Sequence, residues 1–455
     1  MTTTDELAEF VLAVEYDGLR EGVREELKKR VLDSIGIAVG AMGERAPEAV
    51  RATVGEASSD GPCRLWGTDE RASIPEATMY NTALVRYLDY MDSFLAPGET
   101  PHPSDNVAAV LACGEAEGAS GRDLLEAIGV AYEIQGELAW NAPVRERGFD
   151  HVTHTVISAT AGAGKVLGLD REELRHAIGI AGTANNALRV TRTEGINDWK
   201  GVASAHAARN AVYAALLARN GMEGPTNVFE GQKGWQAVVS GPFEVDPDPG
   251  CERVLETMTK RYVAETYAQS AIEGVIELAE SEGISPENVS EIRLDTFAGA
   301  KLIIGGGEGS RYEIETKAEA DHSLPYMLAV ALIDREVTAA SYDPERIRRD
   351  DVQRLLRRVE VEEDPALTER FEAGEMPAVV DVVTGNGTTY RVEKSVFAGH
   401  PRTPMGWDGI EAKFDAIVGE RYDGDRKAEI TETVRDLESF EASDLPGLLD
   451  PPRLD

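Results

Sequence analysis

Cysteine, histidine, lysine and long apolar runs are all scarce in this chain. Its three cysteines, Cys63, Cys113 and Cys251, lie far apart and form no CxxC pair. That excludes a zinc ribbon and a disulfide framework and leaves three reduced thiols. No stretch of 18 or more uncharged apolar residues occurs, so no transmembrane helix is expected. The first ten residues are acidic and lack the basic-then-apolar pattern of a signal peptide, so a cytoplasmic protein is expected. Positive charge is short as well: 46 Lys plus Arg stand against 82 Asp plus Glu, a formal net charge of -36. Such a chain lacks the basic face that nucleic acid requires, and it does not suit an anionic membrane surface. The cations are 35 Arg and only 11 Lys. An acidic, lysine-poor surface is that of a halophilic protein, because the screening length falls to ~3 Å at 1 M salt and self-repulsion is then tolerated.

What is present is a folding chain. Of its 455 residues 42% are hydrophobic and 28% charged, and at ~100–200 residues per domain two or three domains are expected. The first half reads as helix after helix. Residues 21–42 place Val23, Leu27, Val31, Leu32, Ile35 and Ile37 on one apolar stripe. Residues 75–95, 106–118, 123–140, 155–167, 172–188 and 199–220 read the same way, with Gly, Pro or Asp between them. The small-residue runs 158–164 (SATAGAG) and 202–208 (VASAHAA) predict close helix packing. After about residue 270 the character changes. Residues 289–297 alternate like a strand, and 378–384 and 388–396 flank the hairpin signal Gly385-Asn386-Gly387. Residues 322–332 and 344–361 read as helices within this α+β stretch, and 408–417 and 427–437 return to helix. The end of the chain, 445–455, reads as frayed.

Two glycine-rich runs carry no phosphate loop. In 159–166 (ATAGAGKV) the first glycine and the hydroxyl after the lysine are replaced by Ala159 and Val166. The run 305–309 (GGGEG) is acidic, has no following lysine, and reads as a loop.

Four polar constellations remain. In 86–94 (RYLDYMDSF) and 101–106 (PHPSDN), helical spacing predicts Asp89 and Ser93 on one face, converging with Asp92 and His102 at a helix end. Ser104 or Asp105 alternatively caps the helix that follows. His102 is held between two prolines, which a cap does not explain. In 148–154 (GFDHVTH), His151 and His154 beside Asp150 are candidate metal ligands or acid–base groups, or plain structural histidines. Arg189, Arg192 and Lys200 form a cationic patch suited to a polyanionic small molecule, or else pair on the surface. In 321–326 (DHSLPY), Asp321 is a candidate cap, and Tyr326 is either core or site.

Taken together, RYLDYMDS, HPSDN, YEIQG (132–136), GFDHV, LRVTR (188–192) with Lys200, and DHSLPYM (321–327) resemble the MmgE/PrpD (2-methylcitrate dehydratase) superfamily. The likeness covers nearly the whole chain in family order. It implies a mainly α fold: an all-helical main domain from both chain ends, residues 1–268 and 404–455, with an inserted α+β lid domain at 269–403. It also implies a homodimer and no metal or other cofactor. The implied activity is dehydration of a tricarboxylate, foremost 2-methylcitrate to 2-methyl-cis-aconitate in propionate catabolism. Other members act by citrate dehydration, cis-aconitate decarboxylation or iminodisuccinate epimerisation. Outside the family, the residues leave open a metal-dependent hydrolase built on Asp89, His102, His151 and His154, or a non-catalytic acid-binding protein.

Carried over, the resemblance makes His102 and His151 the acid and base. Asp89 orients a histidine, and Lys200 and Arg192 hold substrate carboxylates. Ser93 and Tyr326 hydrogen-bond the substrate, and Arg86 is a further binding residue. Two positions depart from the family: Ser93 replaces the usual Thr, and Tyr267 replaces the usual His.

Overall fold

The computed structural model describes residues 1–57, 60–193, 197–307 and 311–450. The chain is mainly helical and divides into two compact units, Met1–Thr257 with Gly406–Asp455, and Met258–Met405. Among the described residues no helix is long and apolar enough to cross a membrane.

The first unit is a stack of helices: α1 (Glu21–Ala41), α2 (Ile74–Tyr87), α3 (Val107–Glu117), α4 (Gly121–Asn141), α5 (Val152–Val166), α6 (Arg171–Ala184) and α7 (Ala203–Arg219). Helix α5 lies at its centre, buried from Val152 to Gly164 and packed against α3, α4, α6 and α7. Its small residues are what permit this. A Cβ on Gly162 would sit 3.0 Å from the Ala127 carbonyl oxygen and 3.1 Å from both Ala131 and Val110, so the backbones approach too closely for a larger side chain. The α3 helix ends at Gly118 with φ 65°, a left-handed position glycine adopts without strain.

In the second unit, helix α8 (Gln269–Ser281) precedes strand β1 (Val289–Thr296), and helix α9 (Leu324–Asp334) precedes β2 (Val359–Glu363), β3 (Ala378–Thr384) and β4 (Thr389–Lys394). The strand order is β2-β1-β3-β4. β1 runs parallel to β2, pairing Leu294 with Val361, and antiparallel to β3, pairing Leu294 with Val380. The Gly385-Asn386-Gly387 turn joins β3 to β4, with Asn386 accepting from the Thr388 N–H at 3.0 Å. The single helix expected at 344–361 is instead two short helices, Pro344–Ile347 and Asp350–Leu356, followed by β2. Val359 and Val361 alternate with glutamates, and that period of two prevails where β1 offers an edge. The glycine-rich run 305–309 and the tail 445–455 lie partly outside the described residues.

One histidine of this unit yields a direct test. His400 is buried, and its Nδ1 accepts the Arg402 N–H at 3.1 Å. Burial, then Arg402, push its pKa down to about 4. A pKa below the unfolded value means stability present above pH 6.5 and lost as pH falls toward 4. Between pH 7 and 4.5, wild type should lose about 2–3 kcal/mol more than His400→Asn, measured by urea unfolding at constant salt. Equal losses would show that the imidazole titrates freely in the fold.

The return segment brings α10 (Trp407–Val418) and α11 (Gly424–Arg435) back onto α1. Phe414 fills the space left by Gly36, where a Cβ would lie 2.9 Å from the ring. Beside it the buried Lys413 ammonium pairs with Asp33 at 2.7 Å and donates to the Tyr90 carbonyl at 2.9 Å. It also stands 3.9 Å from the centre of the Tyr90 ring. The segment that follows α2 is thereby tied to both ends of the chain.

Candidate active site

The helix expected over 75–95 stops at Tyr87. Asp89 adopts φ 54°, in the left-handed region, so Asp89 and Ser93 do not share a helical face. Aspartate tolerates this conformation better than most residues, and here its carboxylate is held from two sides. Arg86 Nη1 donates to Oδ1 at 2.8 Å, and Lys200 Nζ donates to Oδ2 at 2.9 Å. All three side chains are buried.

Beyond this turn the chain passes Asp92 and Ser93, runs out to Gly98 and returns. The Phe94 N–H meets the Pro101 carbonyl at 2.9 Å, and Ala96 pairs with Glu99. The return places His102 against Asp92 and Ser93. His102 Nδ1 lies 2.7 Å from the Asp92 carbonyl oxygen and 3.2 Å from Ser93 Oγ. A carbonyl only accepts, so Nδ1 carries the proton and Nε2 carries the basic lone pair. The Asp92 carboxylate is used as well, accepting the Ser104 N–H at 3.1 Å. Ser104 and Asp105 do not cap α3. Asp105 is buried, has no hydrogen-bond partner at either oxygen, and lies 4.0 Å from Arg86 Nε. Burial pushes Asp105 up to about 6, with Arg86 pulling the other way.

The third motif is built by strapping two segments together. Glu99 Oε1 accepts the N–H groups of Val144 and Arg145, at 2.8 and 2.7 Å. Phe149 bridges to Leu188, the Arg189 N–H donates to the Gly148 carbonyl, and the Asp150 N–H donates to the Ala187 carbonyl. This brings Arg192 onto Asp150: its Nε bonds Oδ2 and its Nη2 reaches Oδ1 at 3.3 Å. Nη2 also lies 3.5 Å from His151 Nε2, while His151 Nδ1 lies 3.5 Å from Asp150 Oδ1. A guanidinium only donates, so Nε2 of His151 is an acceptor and Nδ1 holds the proton. Burial lowers the pKa of His151 and outweighs Asp150, and Arg192, Arg86 and Arg145 lower it further, so His151 is neutral. Burial opposes the charge on Asp150, yet the Arg192 guanidinium and the Val152 N–H hold its carboxyl well below the usual range. The His151 ring meets the His102 ring edge-on, with centroids 5.3 Å apart.

Seven of the eight candidate residues therefore lie in the first unit: Arg86, Asp89, Ser93, His102, His151, Arg192 and Lys200. Two of the cations among them bond carboxylates of the protein itself. Arg192 is spent on Asp150, and Arg86 on Asp89. The eighth, Tyr326, is fully buried in the second unit and donates its hydroxyl to the Ser341 carbonyl. Ser323, not Asp321, caps α9, and Asp321 instead holds His322 Nδ1 at 2.5 Å. Tyr267 packs its ring edge-on against Phe297 and Phe371. His154 is a core histidine whose Nε2 lies 2.9 Å from the Ala142 carbonyl oxygen. Among the described residues no group of three or more His, Cys, Asp or Glu is placed to hold a metal ion.

Sequence reasoning passed over the layer beneath the site. Asn106 donates to the Gln135 side chain at 2.5 Å, Gln135 donates to Thr155 at 3.0 Å, and Ser158 donates to Asn106 at 2.9 Å. A glutamine on the otherwise apolar face of α4 was the available signal, since a buried amide needs partners.

Comparison with known proteins adds an independent observation. Residues 5–248 match the MmgE/PrpD N-terminal domain and residues 262–439 match the MmgE/PrpD C-terminal domain. The 2-methylcitrate dehydratase-like protein oryR of Aspergillus oryzae is 29% identical, over 93% of this chain and 91% of its own. The 2-methylcitrate dehydratase of Cupriavidus necator is 28% identical over 85% of this chain and 84% of its own. That of Escherichia coli K12 is 28% identical over 77% and 76%.

Proposed function

The chain belongs to the MmgE/PrpD family, and from that premise we propose that it is a hydro-lyase that converts 2-methylcitrate to 2-methyl-cis-aconitate in propionate breakdown. The observation that carries this reading is His102: its Nδ1 donates to the Asp92 carbonyl, which makes Nε2 the basic atom of the ring. The substrate proton lies on carbon beside a carboxylate and is weakly acidic. Its removal needs a positioned base and cations for the charge that builds on that carboxylate. His102 Nε2 takes the proton, and Lys200, oriented by Asp89, supports the carboxylate. His102, now protonated, gives the same proton to the leaving hydroxyl. The C–H and C–O bonds are thus exchanged for a C=C bond and water. Ser93 stands beside His102 to hydrogen-bond the substrate. His151, neutral and with its Nε2 facing Arg192, serves as an acceptor rather than as the acid. The reaction runs on side chains alone, in a cytoplasmic homodimer whose second unit acts as a lid.

The test is ultraviolet absorbance of the conjugated product on mixing the protein with 2-methylcitrate in molar KCl. A rise supports the proposal. No rise, alongside a fall with cis-aconitate, would overturn it in favour of water addition or decarboxylation.

Salt dependence follows from charge. A trianion approaching a chain of net charge -36 is repelled until salt shortens the screening length from ~10 Å at 0.1 M to ~3 Å at 1 M. The KM for 2-methylcitrate should rise by about tenfold or more on moving from molar to 0.1 M KCl. An unchanged KM would remove the halophilic reading.

A further inference from the structure

The cations nearest the two histidines are already committed to the protein's own carboxylates. Arg86 and Lys200 both hold Asp89, and Arg192 grips Asp150 through two nitrogens. Even with Lys200 shared between Asp89 and one substrate carboxylate, a substrate with several carboxylates needs further cations.

Two arginines beside His151 meet that need. Arg145 opens the short turn Arg145–Arg147, whose first N–H groups are fixed by Glu99. The backbone of Arg189 is bonded to Gly148, three residues after Arg145. The two side chains therefore flank the segment that leads to Asp150 and His151. Both are half-buried, and among the described residues neither forms an ion pair, in a chain with 82 acidic residues. Arg145 Nε is buried with no hydrogen-bond partner. Glu99, the acidic group on that side, spends Oε1 on the backbone. Burial, then the nearby Arg145, weakens the hold of Arg189 on its proton, and Arg145 also acts on His151. Two half-dehydrated guanidinium groups that repel one another gain most from an anion placed between them. Their planar forks match a carboxylate.

We propose that Arg145 and Arg189 form a carboxylate subsite, which seats one carboxylate of a polycarboxylate substrate beside His151. The identity of that substrate rests on the function proposed above, and the subsite itself does not.

The experiment is titration calorimetry with propane-1,2,3-tricarboxylate, which has no hydroxyl to lose and cannot react. It is run in molar KCl on wild type, Arg145→Gln, Arg189→Gln and Arg189→Lys. Arg357→Gln in the second unit serves as a control for lost charge alone. Steady-state kinetics with 2-methylcitrate are measured on the same proteins. Both glutamine variants should lose about tenfold or more in affinity and raise KM to match, with kcat within about threefold. Arg189→Lys should fall between them and wild type, because a point charge replaces a fork, and the control should be unchanged. The retained kcat shows that the variants are folded. Wild-type affinity and KM in both glutamine variants would overturn the subsite and leave the reaction standing. Arginine-dependent binding without turnover of 2-methylcitrate would overturn the reaction and leave the subsite standing. Failure of wild type to bind the tricarboxylate would overturn the subsite.

Discussion

His102→Ala should lower kcat for dehydration by about 10²–10⁴-fold, the usual range for loss of a positioned general base. The size follows from how little else in the site can replace it. His151 is neutral, but its Nε2 faces the Arg192 guanidinium and its Nδ1 faces Asp150. Turning it toward the substrate would leave a buried aspartate and arginine without their neighbour. Lys200 is held as a cation by Asp89 and has no lone pair to offer. The fold should survive the change, because His102 bonds a loop carbonyl and a serine rather than a helix. A drop of less than about tenfold, with the variant folded, would move the base elsewhere in the site.

Asp89→Asn should be the most damaging single-atom exchange in the first unit, costing about 3–5 kcal/mol of stability and nearly all activity. One carboxylate here neutralises two buried cations, Arg86 and Lys200. The amide would remove the short ion pair of each, leaving Arg86 with Asp105 at 4.0 Å. Arg86 is already poorly served, with Nε and Nη2 lacking hydrogen-bond partners. Asparagine is the informative substitution, because it accepts the left-handed backbone at this position almost as readily as aspartate. An alanine would add backbone strain and blur the result. Denaturant unfolding at constant salt measures the effect, and a loss below about 0.5 kcal/mol would mean that the bridge contributes nothing. Asp89→Asn combined with Lys200→Met removes one of the stranded cations and should recover part of the stability.

The helices were legible because each carries an apolar stripe of its own. Residues 21–42 predict a helix that the structure ends one residue earlier, at Ala41. The hairpin at Gly385–Gly387 was legible because two residues of turn chemistry settle it locally. What failed was decided from far away in the chain. Leu88, Met91 and Leu95 continue the helical stripe of α2, so nothing local announces the stop at Tyr87. The left-handed Asp89 is held by Lys200, 111 residues further on. Strand β2 was read as helix because its identity depends on pairing with β1. The site shows the same division. The candidate residues could be picked out from their motifs, but their pairings could not. Arg192 was visible as a cation, yet its partner Asp150 lies 42 residues away. Tyr326 was visible in its motif, yet its bond to the Ser341 carbonyl, 15 residues on, was not.

The Lys413 contact has a consequence for how the protein is made. Tyr90 and Asp33 leave the ribosome long before their cation: 323 residues separate Tyr90 from Lys413. At ~5–20 residues per second this interval lasts roughly 15–65 seconds. Throughout it, Asp33 lacks the Lys413 ammonium, and the loop after α2 lacks the tie that this lysine makes at Tyr90. The helices of the first unit can gather during synthesis, but the Lys413 bonds to Asp33 and to the loop after α2 form only once the return segment has been translated and docked.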